Sequence, residues 1–298
     1  MMDSSIDVGS DHCRVVPIRK GANPIERIQY YRHLLPYSVV SDYVEPSGHV
    51  LEIGSGEGYG ANVLASEFSR VAATDMSMQA LSHVSSTYSC VRDLCQSNAT
   101  RLPFASDSFD AVVSYQVIEH VKHTMDFLQE IHRVLRPGGK ALLTTPNRRL
   151  RLLPFQKPWN PYHVREYSGR ELHDLMSEVF YTPKIMGIAA SQEITKIERK
   201  RVHQNPLLVY RDLLKQGVLQ ILPAPLRSPL VLMSRSIVKQ VSRLLRSPQM
   251  IDKDDAIQVS SLLVSNPLCV ELSSFFLTDA YDDAIDLLAI GKKDVGDS

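Results

Sequence analysis

From His49 onward, short apolar runs alternate with segments of helical periodicity, and no other feature of the chain restricts its fold as strongly. Val50, Leu51 and Ile53 make one run and residues 71–74 a second; 91–95 is weaker, and Ala111, Val112, Val113 and Tyr115 are a strong fourth. Residues 141–145, 185–189 and 285–290 complete a set of seven. Between them, 61–68, 78–88 and 171–180 read as helices, while Phe127, Ile131, Val134 and Leu135 stand at i, i+4, i+7 and i+8. Arg136-Pro137-Gly138-Gly139 should stop that helix. Strands that alternate with helices pair in parallel and are buried on both faces. The expected fold is therefore α/β, a doubly wound, mostly parallel seven-stranded sheet.

The alternation fails between residues 195 and 265, where prolines stand at 206, 223, 225, 229 and 248. Because a strand follows it, this stretch reads as a helical insertion before the last strand. The resulting division is a flexible segment over 1–26, a core over 27–194, the insertion over 195–265, and a closing strand with tail over 266–298. Ile28 to Tyr43 should be a helix interrupted at Pro36.

Composition narrows the partners. Lys+Arg and Asp+Glu both number 33, which gives no support to general nucleic-acid binding. Cys13, Cys90, Cys95 and Cys269 form no CxxC pair, so neither a zinc knuckle nor a disulfide framework is suggested. The first ten residues lack an apolar signal core and no run is long enough to span a bilayer, which reads as a cytoplasmic protein.

The chemistry begins at Glu52-Ile53-Gly54-Ser55-Gly56-Glu57-Gly58-Tyr59-Gly60, which follows a strand and opens a helix. Glycines there let the backbone turn tightly and a ligand approach it. A dinucleotide fingerprint would need glycine at position 59, which is Tyr59, and a phosphate loop would need Gly-Lys-Ser/Thr, which is absent. Asp75 ends the second strand, 21 residues after Gly54. It could accept bonds from two ribose hydroxyls or simply cap the next helix.

Acid-x-Gly-x-Gly-x-Gly, Asp75, and the stretch Asn98-Ala99-Thr100-Arg101-Leu102-Pro103-Phe104 with Ser108-Phe109-Asp110 resemble, in order, the motifs of class I S-adenosylmethionine-dependent methyltransferases of the Rossmann-like fold. The resemblance covers about residues 27–190 plus the closing strand. It implies S-adenosyl-L-methionine as cofactor, held by Glu52, Gly54, Gly56, Gly58, Asp75, Met76, Asn98, Ala99 and Gln116. Asn98 stands where the family usually has an acid for the adenine amino group; its side-chain oxygen could accept that bond, and Ala99 would offer its backbone amide.

In an open sheet of this kind ligands bind beyond the carboxyl ends of the strands. Tyr115-Gln116-Val117-Ile118-Glu119-His120-Val121 ends the fourth strand, and Asn160-Pro161-Tyr162-His163-Val164-Arg165-Glu166-Tyr167 lies in the loop after the fifth. Both stretches resemble small-molecule O-methyltransferases, the second those of bacterial surface-glycan synthesis. Glu119, His120 and His163 are the expected catalytic residues, a histidine being suited to remove a hydroxyl proton. His120 could instead orient the loop, and a structural role for His163 is equally open. Trp159 could stack on a sugar or simply pack. Some relatives bind a divalent ion through Glu-x-x-Glu-His; Gln116 replaces the first acid here, so a divalent metal held by Glu119, His120 and His163 is possible but not favoured.

The insertion lacks acids between Asp212 and Asp252 and carries Lys215, Arg227, Arg235, Lys239, Arg243 and Arg246. It reads as a helical lid with a solvated basic face, or as a peripheral contact through 226–246 with the inner membrane face. The expected function is O-methylation of a hydroxyl on a small-molecule or glycan acceptor, with a lipid-linked acceptor as one form. RNA or quinone-precursor O-methylation, and cofactor binding without catalysis, are the alternatives.

Overall fold

The computed structural model describes residues 22–152, 156–158, 160–203 and 270–295. Trp159 and the basic stretch from Lys215 to Arg246 lie outside them. The chain divides into two compact units. One takes in residues 1–150, 158–195 and 270–298, and the other 151–157 and 196–269. The site residues lie in the first.

Helix α1 (Pro24–Leu34) starts three residues before the expected boundary at 27. Its start is chemically defined: Pro24 opens the first turn, Asn23 Oδ1 accepts from the Glu26 amide at 3.0 Å, and Glu26 Oε2 accepts from the Asn23 amide at 2.9 Å. Pro36 ends the α-helical hydrogen bonding, and the chain continues as a 3₁₀ helix, Leu35–Asp42.

The strands are β1 (His49–Ile53), β2 (Arg70–Asp75), β3 (Asp93–Gln96), β4 (Phe109–Tyr115), β5 (Leu135–Pro146), β6 (Tyr181–Ala190), β7 (Phe275–Thr278) and β8 (Asp286–Lys292). They form one sheet in the order β3-β2-β1-β4-β5-β8-β6-β7. The first five run parallel; β8 lies antiparallel between β5 and β6, with Leu142 opposite Ile290 and Ile185 opposite Ala289. Among the described residues the sheet has eight strands rather than seven. The extra one, β7, is four residues long, too short for its alternation to be visible, and exists through pairing with β6.

Helices α2 (Tyr59–Glu67), α3 (Met78–Thr87), α4 (Thr124–Val134) and α6 (Gly169–Ser177) supply the crossovers, with a single turn, α5 (Arg148–Arg151), after β5 and α7 (Gln192–His203) after β6. Successive strand residues point to opposite faces, and both faces are buried. Leu51, Val112 and Leu143 pack with Phe127, Ile131 and Met176 on one side. Val50, Val113 and Leu142 pack with Leu64, Tyr37 and Val40 on the other. Arg136-Pro137-Gly138-Gly139 does follow the helix, which ends at Val134, but it lies inside β5, which starts at Leu135 rather than at 141. Gly138 takes φ +81°, and the register against β4 shifts between Phe109 and Ala111 to absorb the turn.

The connections from β1 lead to β2 and β3 on one side and later to β4 and β5 on the other. The order therefore reverses between β1 and β4, which leaves a crevice at their carboxyl ends.

Candidate active site

The glycine loop occupies that crevice. Gly54, at φ +79°, has no room for a side chain: a Cβ would stand 2.4 Å from Val117 Cγ2. Gly56, at φ +50°, has nothing within 4 Å of where its Cβ would be, so its backbone faces open space. The amides of Gly54 and Ser55 both donate to the Thr74 carbonyl, at 2.8 and 3.0 Å, tying the loop to the end of β2. Asp75 completes the tie. Its Oδ2 accepts from the Gly56 amide at 2.9 Å and its Oδ1 from the Ser77 amide at 2.8 Å. Each oxygen keeps a further lone pair, so Asp75 can shape the loop and still receive ribose hydroxyls.

Glu52 is buried beneath the loop. Its Oε1 accepts the Tyr37 hydroxyl at 2.6 Å, and Oε2 has no hydrogen-bond partner among the described residues. Burial pushes its carboxyl up to about 8 against the pull of Tyr37 and of the Ala61 amide, so it carries a proton at neutral pH. Ser55 Oγ is also buried without a partner. An open glycine backbone flanked by unsatisfied polar atoms suits the amino-acid tail of S-adenosylmethionine, which brings both an ammonium and a carboxylate.

The remaining predicted contacts fall around this loop. Met76 is exposed beside Asp75, and its carbonyl accepts Gln96 Nε2 at 2.8 Å. Ala99 packs on the core. The expectation for the Asn98 oxygen needs correcting. It accepts both the amide and the hydroxyl of Thr100, each at 3.0 Å, so both lone pairs are spent on a local turn. Adenine contact at this position is left to Nδ2 or to backbone. Gln116 has φ +58°, a conformation that side chains other than glycine rarely adopt, and its amide donates to the Thr144 carbonyl at 2.9 Å. This turn sets Val117 against Gly54.

After the turn, Ile118–His120 form one 3₁₀ turn. The Glu119 carbonyl accepts the amides of Val164 at 2.8 Å and Arg165 at 3.3 Å, which latches the 160–167 loop onto the end of β4. Tyr167, buried, closes the loop from the other end, its hydroxyl 3.2 Å from Thr124 Oγ1. The latch brings His120 and His163 together, ring centroids 4.7 Å apart and edge to face.

His120 is at the surface. Its Nδ1 lies 3.0 Å from the Tyr162 carbonyl. A carbonyl only accepts, so Nδ1 carries the hydrogen and Nε2 presents a lone pair. Desolvation by its neighbours, with His163 close by, holds its pKa below the usual histidine value, so the ring is neutral and able to take a proton. Glu119 is buried, accepts Thr145 Oγ1 at 3.1 Å, and is pushed up to about 8 by burial. Glu119, His120 and His163 each bring one donor atom to within 4.8 Å of the others, a set that could hold a divalent cation.

All three expected catalytic residues therefore meet. Sequence reasoning missed the residues behind them. Tyr37, which bonds Glu52, comes from a different element. Thr145 and Glu166 carry no signal of their own, although Glu166 stands three residues after His163.

A doubly wound sheet with this strand order, a glycine loop after β1 and an acid after β2 defines a Rossmann-like methyltransferase fold. Comparison with known proteins agrees. Residues 51–143 match the family model described as a methyltransferase domain. A probable S-adenosylmethionine-dependent methyltransferase of Mycolicibacterium smegmatis is 42% identical over 127 residues, covering 43% of this chain and 49% of that protein. Another from Mycobacterium tuberculosis is 36% identical over 162 residues, covering 54% and 58%. The matches thus span about half the length of these relatives. Among solved structures, an S-adenosylmethionine-dependent methyltransferase of Thermotoga maritima superposes over 89% of this chain and 91% of its own, with TM-score 0.52 and 16% identity, a likeness of fold.

Proposed function

We propose that the chain methylates a hydroxyl of a small-molecule or glycan acceptor, using S-adenosylmethionine. The observation that carries this reading is the state of His120: a surface imidazole, neutral, with its Nδ1 hydrogen committed to the Tyr162 carbonyl and its Nε2 lone pair available. S-adenosylmethionine supplies an electrophilic methyl carbon on a sulfonium centre. Glu52, the glycine loop and Asp75 would hold it. With that carbon aligned on the acceptor oxygen, the new bond would replace the carbon–sulfur bond and His120 Nε2 would take the hydroxyl proton. The positive charge lost from sulfur would then reside on the imidazole, so charge would be conserved within the site.

Replacement of His120 by Ala should lower kcat by about 10²–10⁴-fold while leaving cofactor affinity nearly unchanged. Full activity in that variant would remove His120 from the chemistry. The reaction as written needs no metal. Turnover that collapses on chelation and returns with a divalent ion would assign Glu119, His120 and His163 to a metal instead. The reading also includes a lipid-linked acceptor met at the membrane surface, supported by the basic stretch over 226–246; among the described residues no helix is long and apolar enough to cross a bilayer.

A further inference from the structure

Glu166 lies behind the two histidines. Its side chain is fully buried and its Oε1 is 2.7 Å from Nδ1 of His163, itself 6% exposed. A carboxylate offers only lone pairs, so His163 carries its ring hydrogen on Nδ1, as His120 does. In the neutral ring the other nitrogen is then a lone pair. The two rings meet edge to face at 4.7 Å and 85°. The segment between Asn160 and Glu166 therefore makes two contacts that orient the His120 ring. Tyr162 supplies the carbonyl for its Nδ1, His163 supplies the ring it packs on, and the Asn160 carbonyl and side chain hold the amides of His163 and Tyr162 at 3.1 and 3.0 Å.

We propose that Glu166 is a positioning residue for methyl transfer: by holding His163 in the Nδ1–H form it fixes the ring against which His120 packs, and so keeps the His120 Nε2 lone pair toward the acceptor. The inference rests on reading His120 as the group that takes the acceptor's proton. It adds a reason for a buried acid at this position. Without Glu166, His163 can move its hydrogen to Nε2, and its second nitrogen then presents an N–H among groups that must share a new positive charge. With Glu166 in place the Nδ1 hydrogen points toward the carboxylate and the ring is held in one orientation beside His120. The proton itself still travels in one step, from the acceptor hydroxyl to His120 Nε2.

The test is the tautomeric state of the two rings in the full chain labelled with ¹⁵N-histidine, read from two-bond proton–nitrogen correlations near pH 7.5. In the wild type both His120 and His163 should be Nδ1–H. Glu166→Gln keeps an oxygen acceptor and should keep both tautomers. Glu166→Leu should convert His163 mainly to Nε2–H and shift the His120 resonances, with S-adenosylmethionine affinity by calorimetry kept within about threefold. On any hydroxyl acceptor that the chain methylates, Glu166→Leu should lower kcat about 10²-fold with KM retained, and Gln should recover most of it. His163 found as Nε2–H in the wild type would overturn the inference, and that result needs no variant to fold. So would His120 resonances unmoved in a folded Glu166→Leu chain, or tight binding of added Zn²⁺ at both rings, since the lone pairs would then be ligands. Expected tautomers without transfer to any hydroxyl would defeat the proposed function and leave the Glu166–His163 geometry standing.

Discussion

Cofactor binding should release a proton from Glu52. The carboxyl is 1% exposed, and burial, the largest cause, pushes it up to about 8. At pH 7 only about one molecule in ten carries it ionised. The cofactor ammonium favours the ionised form, so binding selects the minor population. The sign follows directly: the folded, empty protein holds this proton more tightly than an ordinary carboxylate, so acidification favours the empty state. Affinity should rise about tenfold per pH unit below 8 and level off above it. Between pH 6 and 8 the ionised fraction grows about 50-fold, equivalent to about 2.3 kcal/mol. Calorimetry in two buffers of different ionisation enthalpy should show about 0.9 proton released per cofactor at pH 7. Glu52→Gln should abolish the release and flatten the slope. An α-amino group titrates near the top of this range, at about 7.7–8.0, so the decisive quantity is wild type minus Glu52→Gln. A Glu52→Gln chain with the same slope and the same proton release would refute the reasoning.

Further outcomes follow from neighbouring contacts. Tyr37→Phe removes the 2.6 Å hydrogen bond that lowers the Glu52 carboxyl, so the pH at which affinity levels off should move upward, with about 1–3 kcal/mol of stability lost in a denaturant titration. Asp75→Ala should weaken S-adenosylmethionine by roughly 1–3 kcal/mol in calorimetry, part of it through release of the Gly56 amide. Gly54→Ala combines φ +79° with a 2.4 Å approach to Val117; adding Val117→Ala should recover the steric part of the lost melting temperature but not the backbone part. Neutralising Arg235, Lys239, Arg243 and Arg246 should abolish flotation with anionic vesicles if the 226–246 stretch meets a membrane.

What could be read in advance follows how local each signal is. Gly54, Gly56, Gly58 and Asp75 announce themselves because a βα turn needs particular residues at particular spacing, and the turn forms within a few residues of chain. The central strands were legible for the same reason: Val112-Val113 and Leu142-Leu143 have no reason to be continuously apolar except burial on both faces. β5 begins at Leu135, ahead of the expected run at 141, because its pairing with β4 jumps from Phe109–Leu135 to Ala111–Lys140 and Arg136 to Gly139 bulge out between them, which a proline and two glycines in the sequence do not reveal. The Asn98 oxygen was assigned outward because nothing in the sequence showed that Thr100, two residues on, takes both its lone pairs. Tyr37–Glu52 and Glu119–Thr145 are pairings across elements, set by how the sheet and the first helices pack, and a linear pattern does not carry them. Glu166 was near in sequence, but its value depends on the 160–167 loop being latched to the Glu119 carbonyl.

The proposed chemistry turns on a neutral His120 beside an acceptor hydroxyl. Its most direct test is incubation of the full chain with methyl-labelled S-adenosylmethionine and a panel of hydroxyl-bearing saccharides, nucleotide sugars and lipid-linked saccharides, with products analysed by mass spectrometry and carbon NMR. The account predicts label in an O-methyl group of at least one saccharide and none with His120→Ala. Label found only on nitrogen or carbon, or undiminished in His120→Ala, would contradict it.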